Sequence, residues 1–153
     1  LQRKPLMLSV LAVFLFILDR TLKFIALNLQ STTFNLQPFF SFQLFKNTGL
    51  IASIPVPSYI YWAISISGLV LLAIMIALII HKKISSDIGV ITLISLGALS
   101  NIIDRLAYRA TIDYLIFFGR SAVNIADGMI IAGVLFVLFN TNKKTELHIK
   151  PAA

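Results

Sequence analysis

Four apolar runs, residues 5–27, 59–80, 88–103 and 125–139, divide the chain, with short polar stretches between them. A helix needs about 20 such residues to cross a bilayer core, so each run is read as a membrane span, the last two completed by flanking residues. The first run is too long for the apolar core of a cleaved leader and has no small-residue cleavage site, which predicts a retained helix. Residues 28–57 have a different texture. Phe34-Asn35-Leu36-Gln37 and Phe40-Ser41-Phe42-Gln43-Leu44 alternate apolar with polar, a period of two that predicts half-buried strands. Lys46-Asn47-Thr48-Gly49 then reads as a turn, and Pro55 and Pro57 keep the backbone extended before the second span. The pattern predicts an all-α membrane protein of four transmembrane helices with a small extracytoplasmic β-sheet. Residues 1–153 form a single domain, and 140–153 are read as a solvated, frayed end.

Composition agrees with that picture. The chain is 58% hydrophobic and 12% charged, with a mean hydropathy of +0.92. A soluble globule carries about 25% charged residues, so a soluble fold is excluded. The net charge of +7 sits in clusters flanking apolar runs, which favours anionic membrane lipids over nucleic acid as the partner. Cysteine is absent, which removes disulfides and thiolate chemistry, and the two histidines lie in basic polar segments. Carboxylates, lysines and hydroxyls are left to do any chemistry, with no cysteine-type zinc site or histidine metal site expected.

An even number of spans puts both termini on one side. That side holds Arg3, Lys4, Lys82, Lys83, Lys143, Lys144 and Lys150, while Arg20, Lys23, Lys46, Arg105, Arg109 and Arg120 fall on the other. The second group shares its side with Asp19, Asp104, Asp113 and Asp127, so the unpaired lysines place the termini in the cytoplasm.

Those four aspartates then reach one membrane depth near the outer surface. Carboxylates beside hydrocarbon are costly and mark functional sites. Asp104 and Asp127, within Asn101-Ile102-Ile103-Asp104-Arg105 and Asn124-Ile125-Ala126-Asp127-Gly128, suit a dyad sharing one proton. The ionised partner would activate water while the protonated one polarises a scissile carbonyl, and Asn101 and Asn124 would orient the pair. Each residue also has a plainer reading. Asp19 and Lys23 have the favourable spacing for a helical ion pair, Asp104-Arg105 for a helix end at the headgroups, and Asp127 for a helix cap. Spacing leaves the dyad open beside an ion pathway or proton relay.

Five motifs in order resemble the lipoprotein signal peptidases (signal peptidase II) across nearly the whole chain. Asp19-Arg20-Thr21-Leu22-Lys23 looks like the family's Asp-x-x-x-Lys, Asn47-Thr48-Gly49 its Asn-x-Gly, and Gly97 through Arg105 its Gly-rich Asn-x-x-Asp-Arg. Ile112-Asp113-Tyr114 resembles Val-x-Asp-Phe, and Asn124-Ile125-Ala126-Asp127 matches Asn-x-Ala-Asp. The resemblance implies a membrane aspartyl endopeptidase of the bacterial inner membrane that needs no cofactor. It removes the signal peptide of a prolipoprotein before a diacylglyceryl-modified cysteine and is inhibited by globomycin-type antibiotics. Asp104 and Asp127 are then the expected catalytic pair. Asp19, Lys23, Asn47, Gly49, Asn101, Arg105, Asp113 and Asn124 support the site or substrate, and a monomer is expected. The chain departs from the pattern at Leu22, Leu50, Ile51, Ala98, Ser100, Tyr114 and Val123. Ala98 and Ser100 replace glycines, and Tyr114 stands where Phe is common, which bears on substrate fit. A catalytically silent lipoprotein- or lipid-binding relative is the alternative that these departures motivate. A proton-coupled carrier or channel subunit is a third reading, resting on the intramembrane acids alone.

Overall fold

The computed structural model describes residues 3–29, 34–36, 39–48, 57, 59–60, 62–63, 66, 70, 73, 77, 88–119 and 121–149. Helix α1 is Arg3–Asn28. In the second apolar run the described residues Tyr59, Ile60, Trp62, Ala63, Ile66, Val70, Ala73 and Ala77 are helical, and these residues are labelled α2. Helix α3 is Ile88–Tyr108 and α4 is Ile125–Ile149. α3 is long and apolar enough to cross a membrane, and residues Ile125–Phe139 of α4 form a shorter apolar stretch. Large apolar side chains point outward along α1 and α4, among them Leu6, Val10, Phe14, Ile17, Ile131, Leu135 and Phe139. An exposed apolar surface of this extent suits lipid contact.

Small residues set the helix packing, as they do where lipid rather than water surrounds a bundle. Gly89, in the first turn of α3, faces Pro5 and Leu8 in the first turns of α1, so α1 and α3 run parallel. Gly97 faces Ala126 and Met129, and Gly133 faces Val90 and Ile94, so α4 runs antiparallel to α3. A Cβ on Gly97 would lie 2.8 Å from the Ala126 carbonyl oxygen. That oxygen is backbone and cannot swing aside. Gly97→Ala is therefore expected to push α4 away and destabilise the protein by about 1–3 kcal/mol, read as a lower unfolding midpoint in detergent.

A four-stranded antiparallel sheet, in the order β1-β2-β3-β4, packs where α3 ends and α4 begins. Its strands are β1 (Phe34–Leu36), β2 (Phe40–Asn47), β3 (Thr111–Phe117) and β4 (Ser121–Val123). β2 pairs with β3 from Phe40↔Phe117 to Asn47↔Thr111, with an irregularity between Phe42 and Phe45. The alternating segments of the sequence become β1 and β2. β3 has no counterpart among the expected strands: the alternation of Thr111-Ile112-Asp113-Tyr114 is only four residues long and gives way to Leu115-Ile116-Phe117, and all four of its residues are buried. α3 continues five residues past Ile103, the flanking residues expected to complete the span, so Asp104 and Arg105 lie inside the helix. One helix end differs from expectation. The α4 backbone stays helical to Ile149 where a frayed tail was expected, consistent with good helix formers such as Lys143, Lys144 and Glu146. Of the expected turn, Lys46 and Asn47 instead finish β2 and Gly49 lies outside the described residues; Pro55 also lies outside them, while the Pro57 carbonyl accepts the Ile60 amide at 2.9 Å.

Candidate active site

Four elements meet at Asp19 on α1, which is fully buried. Its Oδ1 accepts from the Tyr114 hydroxyl at 2.8 Å and the Ala126 amide at 3.2 Å. Its Oδ2 accepts from the Ser100 hydroxyl at 2.6 Å and pairs with Lys23 at 3.0 Å. Lys23 lies one helical turn further along the same face of α1. Its ammonium also reaches Asp104 Oδ2 at 2.7 Å, Ser100 Oγ at 3.2 Å and Asn101 Oδ1 at 3.0 Å. Arg20 pairs with Asp104 Oδ1 and donates to the Ser100 carbonyl at 3.2 Å. Asp104 Oδ2 takes a further bond from the Ile112 amide at 3.2 Å. Both oxygens of Asp104 thus face a cation, the arrangement that makes a buried carboxylate tolerable.

Asp113 and Asp127 are held by amides instead. Asn47 Nδ2 donates to Asp113 Oδ2 at 2.9 Å, and Asn124 Nδ2 donates to Asp113 Oδ1 at 2.6 Å. Asn101 Nδ2 donates to Asp127 Oδ1 at 2.8 Å. Asn124 caps α4. Its Oδ1 accepts the Asp127 amide at 2.9 Å, while Asp127 Oδ2 accepts the Asn124 amide at 3.4 Å. This is a capping box with Asp at its third helical position. A single asparagine therefore touches both carboxylates.

Burial pushes the Asp113 carboxyl up to about 6, with the nearby Asp127 charge adding to the rise and the amides of Asn47 and Asn124 opposing it. Burial, then the Asp19 carboxylate, pushes the Tyr114 hydroxyl well above the phenol range, so it stays a donor. The raised Asp113 value means the folded protein holds this proton more tightly than the unfolded chain. Its stabilisation is complete below the unfolded value near 3.8 and is lost as pH rises through about 6. The unfolding midpoint of the unmodified protein is expected to fall relative to that of Asp113→Asn across this window. A pH-independent difference between the two would contradict the assignment.

Among the residues singled out from sequence, Asp19, Lys23, Asn47, Asn101, Asp104, Asp113, Asn124 and Asp127 share this one network. Arg105 lies at its edge, donating from Nε to Thr111 Oγ1 at 3.3 Å. Gly49, Leu50 and Ile51 lie outside the described residues. Arg20, Ser100 and Tyr114 were not anticipated as site groups. Arg20 carried a signal, a second charge beside Asp19 on an apolar helix, whereas Ser100 and Tyr114 had registered as departures from the motif pattern.

The comparisons point the same way. The Signal peptidase (SPase) II family model matches residues 11–143. A lipoprotein signal peptidase of Nitrobacter hamburgensis is 34% identical over 121 residues, covering 71% of this chain and 72% of its own length. One of Clostridium tetani is 31% identical over 133 residues, covering 80% and 85%. In fold, the chain is similar to a bacterial membrane enzyme solved by the in meso method at 2.3 Å, with a TM-score of 0.73 and 24% identity, covering 95% of this chain and 93% of that one. With five ordered motifs, a matching fold and a family match across most of its length, the chain belongs to the signal peptidase II family and is a protease.

Proposed function

We propose that this protein removes the signal peptide from diacylglyceryl-modified prolipoproteins by direct attack of water, and that Asp113 and Asp127 form the working pair. The observation that carries the pairing is Asn124, bonded to Asp113 through Nδ2 and to Asp127 through Oδ1 and its backbone amide. The sequence reading pairs Asp127 with Asp104. The two cations on Asp104 favour a different task for it, because a carboxylate occupied by Arg20 and Lys23 has little capacity to trade a proton with water. Asp104 instead holds the Ile112 amide, next to Asp113, and so places β3.

In the proposed reaction Asp127 takes a proton from water as the oxygen bonds to the scissile carbonyl carbon. Asp113, protonated, donates a hydrogen bond to the carbonyl oxygen. The carbon–nitrogen bond then breaks and the departing amine takes up a proton from the pair. Amide-held carboxylates suit this exchange, since among the described residues no cation is bonded directly to either of them.

The parallel run of α1 and α3, with α4 returning, supports four crossings with both termini on one side, and the unpaired lysines on that side favour the cytoplasm, which leaves the aspartates near the outer surface. The membrane is the bacterial inner membrane, where the family works. Cleavage of a lipidated prolipoprotein by the purified protein in liposomes tests the function, with block by a globomycin-type inhibitor expected. Binding of the prolipoprotein with no cleavage would favour the catalytically silent relative instead.

A further inference from the structure

We propose that the hydroxyls of Tyr114 and Ser100 are positioning residues for Asp127, clamping the first turn of α4 to α1 through the Asp19 carboxylate. This inference rests on Asp127 being one of the working acids. A helix leaves its first amides without intrahelical partners. In α4 each of the first three finds a different acceptor. The Ile125 amide donates to the Tyr114 hydroxyl at 3.1 Å, the Ala126 amide to Asp19 Oδ1 at 3.2 Å, and the Asp127 amide to Asn124 Oδ1 at 2.9 Å. The third is an ordinary cap. The first two come from β3 and α1, so the segment leading into Asp127 is held from outside its own helix.

Asp19 can serve as a rigid acceptor because four donors surround it. Tyr114 fixes Oδ1, and Ser100, at 2.6 Å, fixes Oδ2 beside Lys23. Asp19, Ser100 and Tyr114 are all 0% exposed, so water does not compete for these bonds. Tyr114 also packs against Phe42 with ring centroids 5.6 Å apart, which limits the hydroxyl to one place. Ser100 and Tyr114 are both positions where the chain departs from the motif pattern. The usual Gly and Phe have no side-chain hydroxyl, so the two departures together complete one hydrogen-bonded group.

The test measures kcat and KM for Tyr114→Phe, Ser100→Ala and the double variant on a lipidated prolipoprotein, with Asp127→Asn alongside. Each single variant is expected to lose about tenfold or more in kcat, with KM within about twofold, because misplacing a reacting group slows chemistry more than binding. The double variant is expected to lose less than the product of the single losses, because both hydroxyls act through Asp19. Wild-type kcat in either folded single variant, or losses that simply multiply, would overturn the clamp. If Tyr114→Phe fails to fold, Ser100→Ala alone carries the same expectation and the same power to refute. An inactive Asp127→Asn beside fully active hydroxyl variants removes the clamp and spares the dyad. An active Asp127→Asn removes both.

Discussion

Asp113→Asn and Asp127→Asn are each expected to lower cleavage of a lipidated prolipoprotein by about a hundredfold to ten-thousandfold, the range that a positioned acid or base contributes. An asparagine keeps the shape of the carboxylate and one acceptor oxygen. At position 113 it can still accept from Asn47 or Asn124, and at 127 from Asn101, so both variants should fold. What each loses is the capacity to exchange a proton with water. Asp104→Asn should behave in the opposite way. It removes the charge that Arg20 and Lys23 share, so the loss falls on stability, and the fraction that folds should keep turnover within about tenfold. Measuring activity per folded molecule for the three variants separates the two pairings. A dead Asp104→Asn beside an active Asp113→Asn would restore the Asp104/Asp127 dyad.

Much of this molecule can be read along the chain, and what cannot has a physical reason. Apolar runs locate α1, α3 and α4, since lipid-facing helices must stay apolar over their length. Alternation locates β1 and β2. β3 escapes because Thr111 and Asp113 are buried along with Ile112 and Tyr114, so the short alternation marks no exposed face, and Leu115-Ile116-Phe117 is apolar throughout. The partners at the end of α3 are hidden for a different reason. Asp104 and Arg105 look like headgroup contacts until their partners on α1 and β3 are known. Within the site, the Asp19–Lys23 pair follows from their spacing on one helix face. The second partner of Lys23 does not, because Asp104 reaches it from another helix. The order of the apolar runs predicts that the four aspartates gather at one end of the bundle. The donors around each acid are not legible in it: two cations for Asp104 and carboxamides for Asp113 and Asp127, the difference on which the proposed pairing rests.

Lys23→Met should be the most destabilising single change in the site, at about 3–5 kcal/mol, the usual consequence of breaking a buried ion pair by removing one partner. The Lys23 side chain is 0% exposed and pairs with both Asp19 and Asp104. Methionine fills a similar volume, so packing is nearly kept while two buried carboxylates lose their shared cation. Arg20 remains beside Asp104, with its side chain 27% exposed, and nothing equivalent remains for Asp19 except neutral donors. The size of the effect therefore comes from stranded charge rather than lost contact. Neutralising Asp19 in the same molecule isolates that charge. Asp19→Asn combined with Lys23→Met should be less destabilised than the two single losses added together, with a coupling of about 0.5–3 kcal/mol measured by unfolding in detergent. Strict additivity would mean that Asp19 and Lys23 stabilise the protein independently, and that the pair at the centre of the network is only a neighbourly contact.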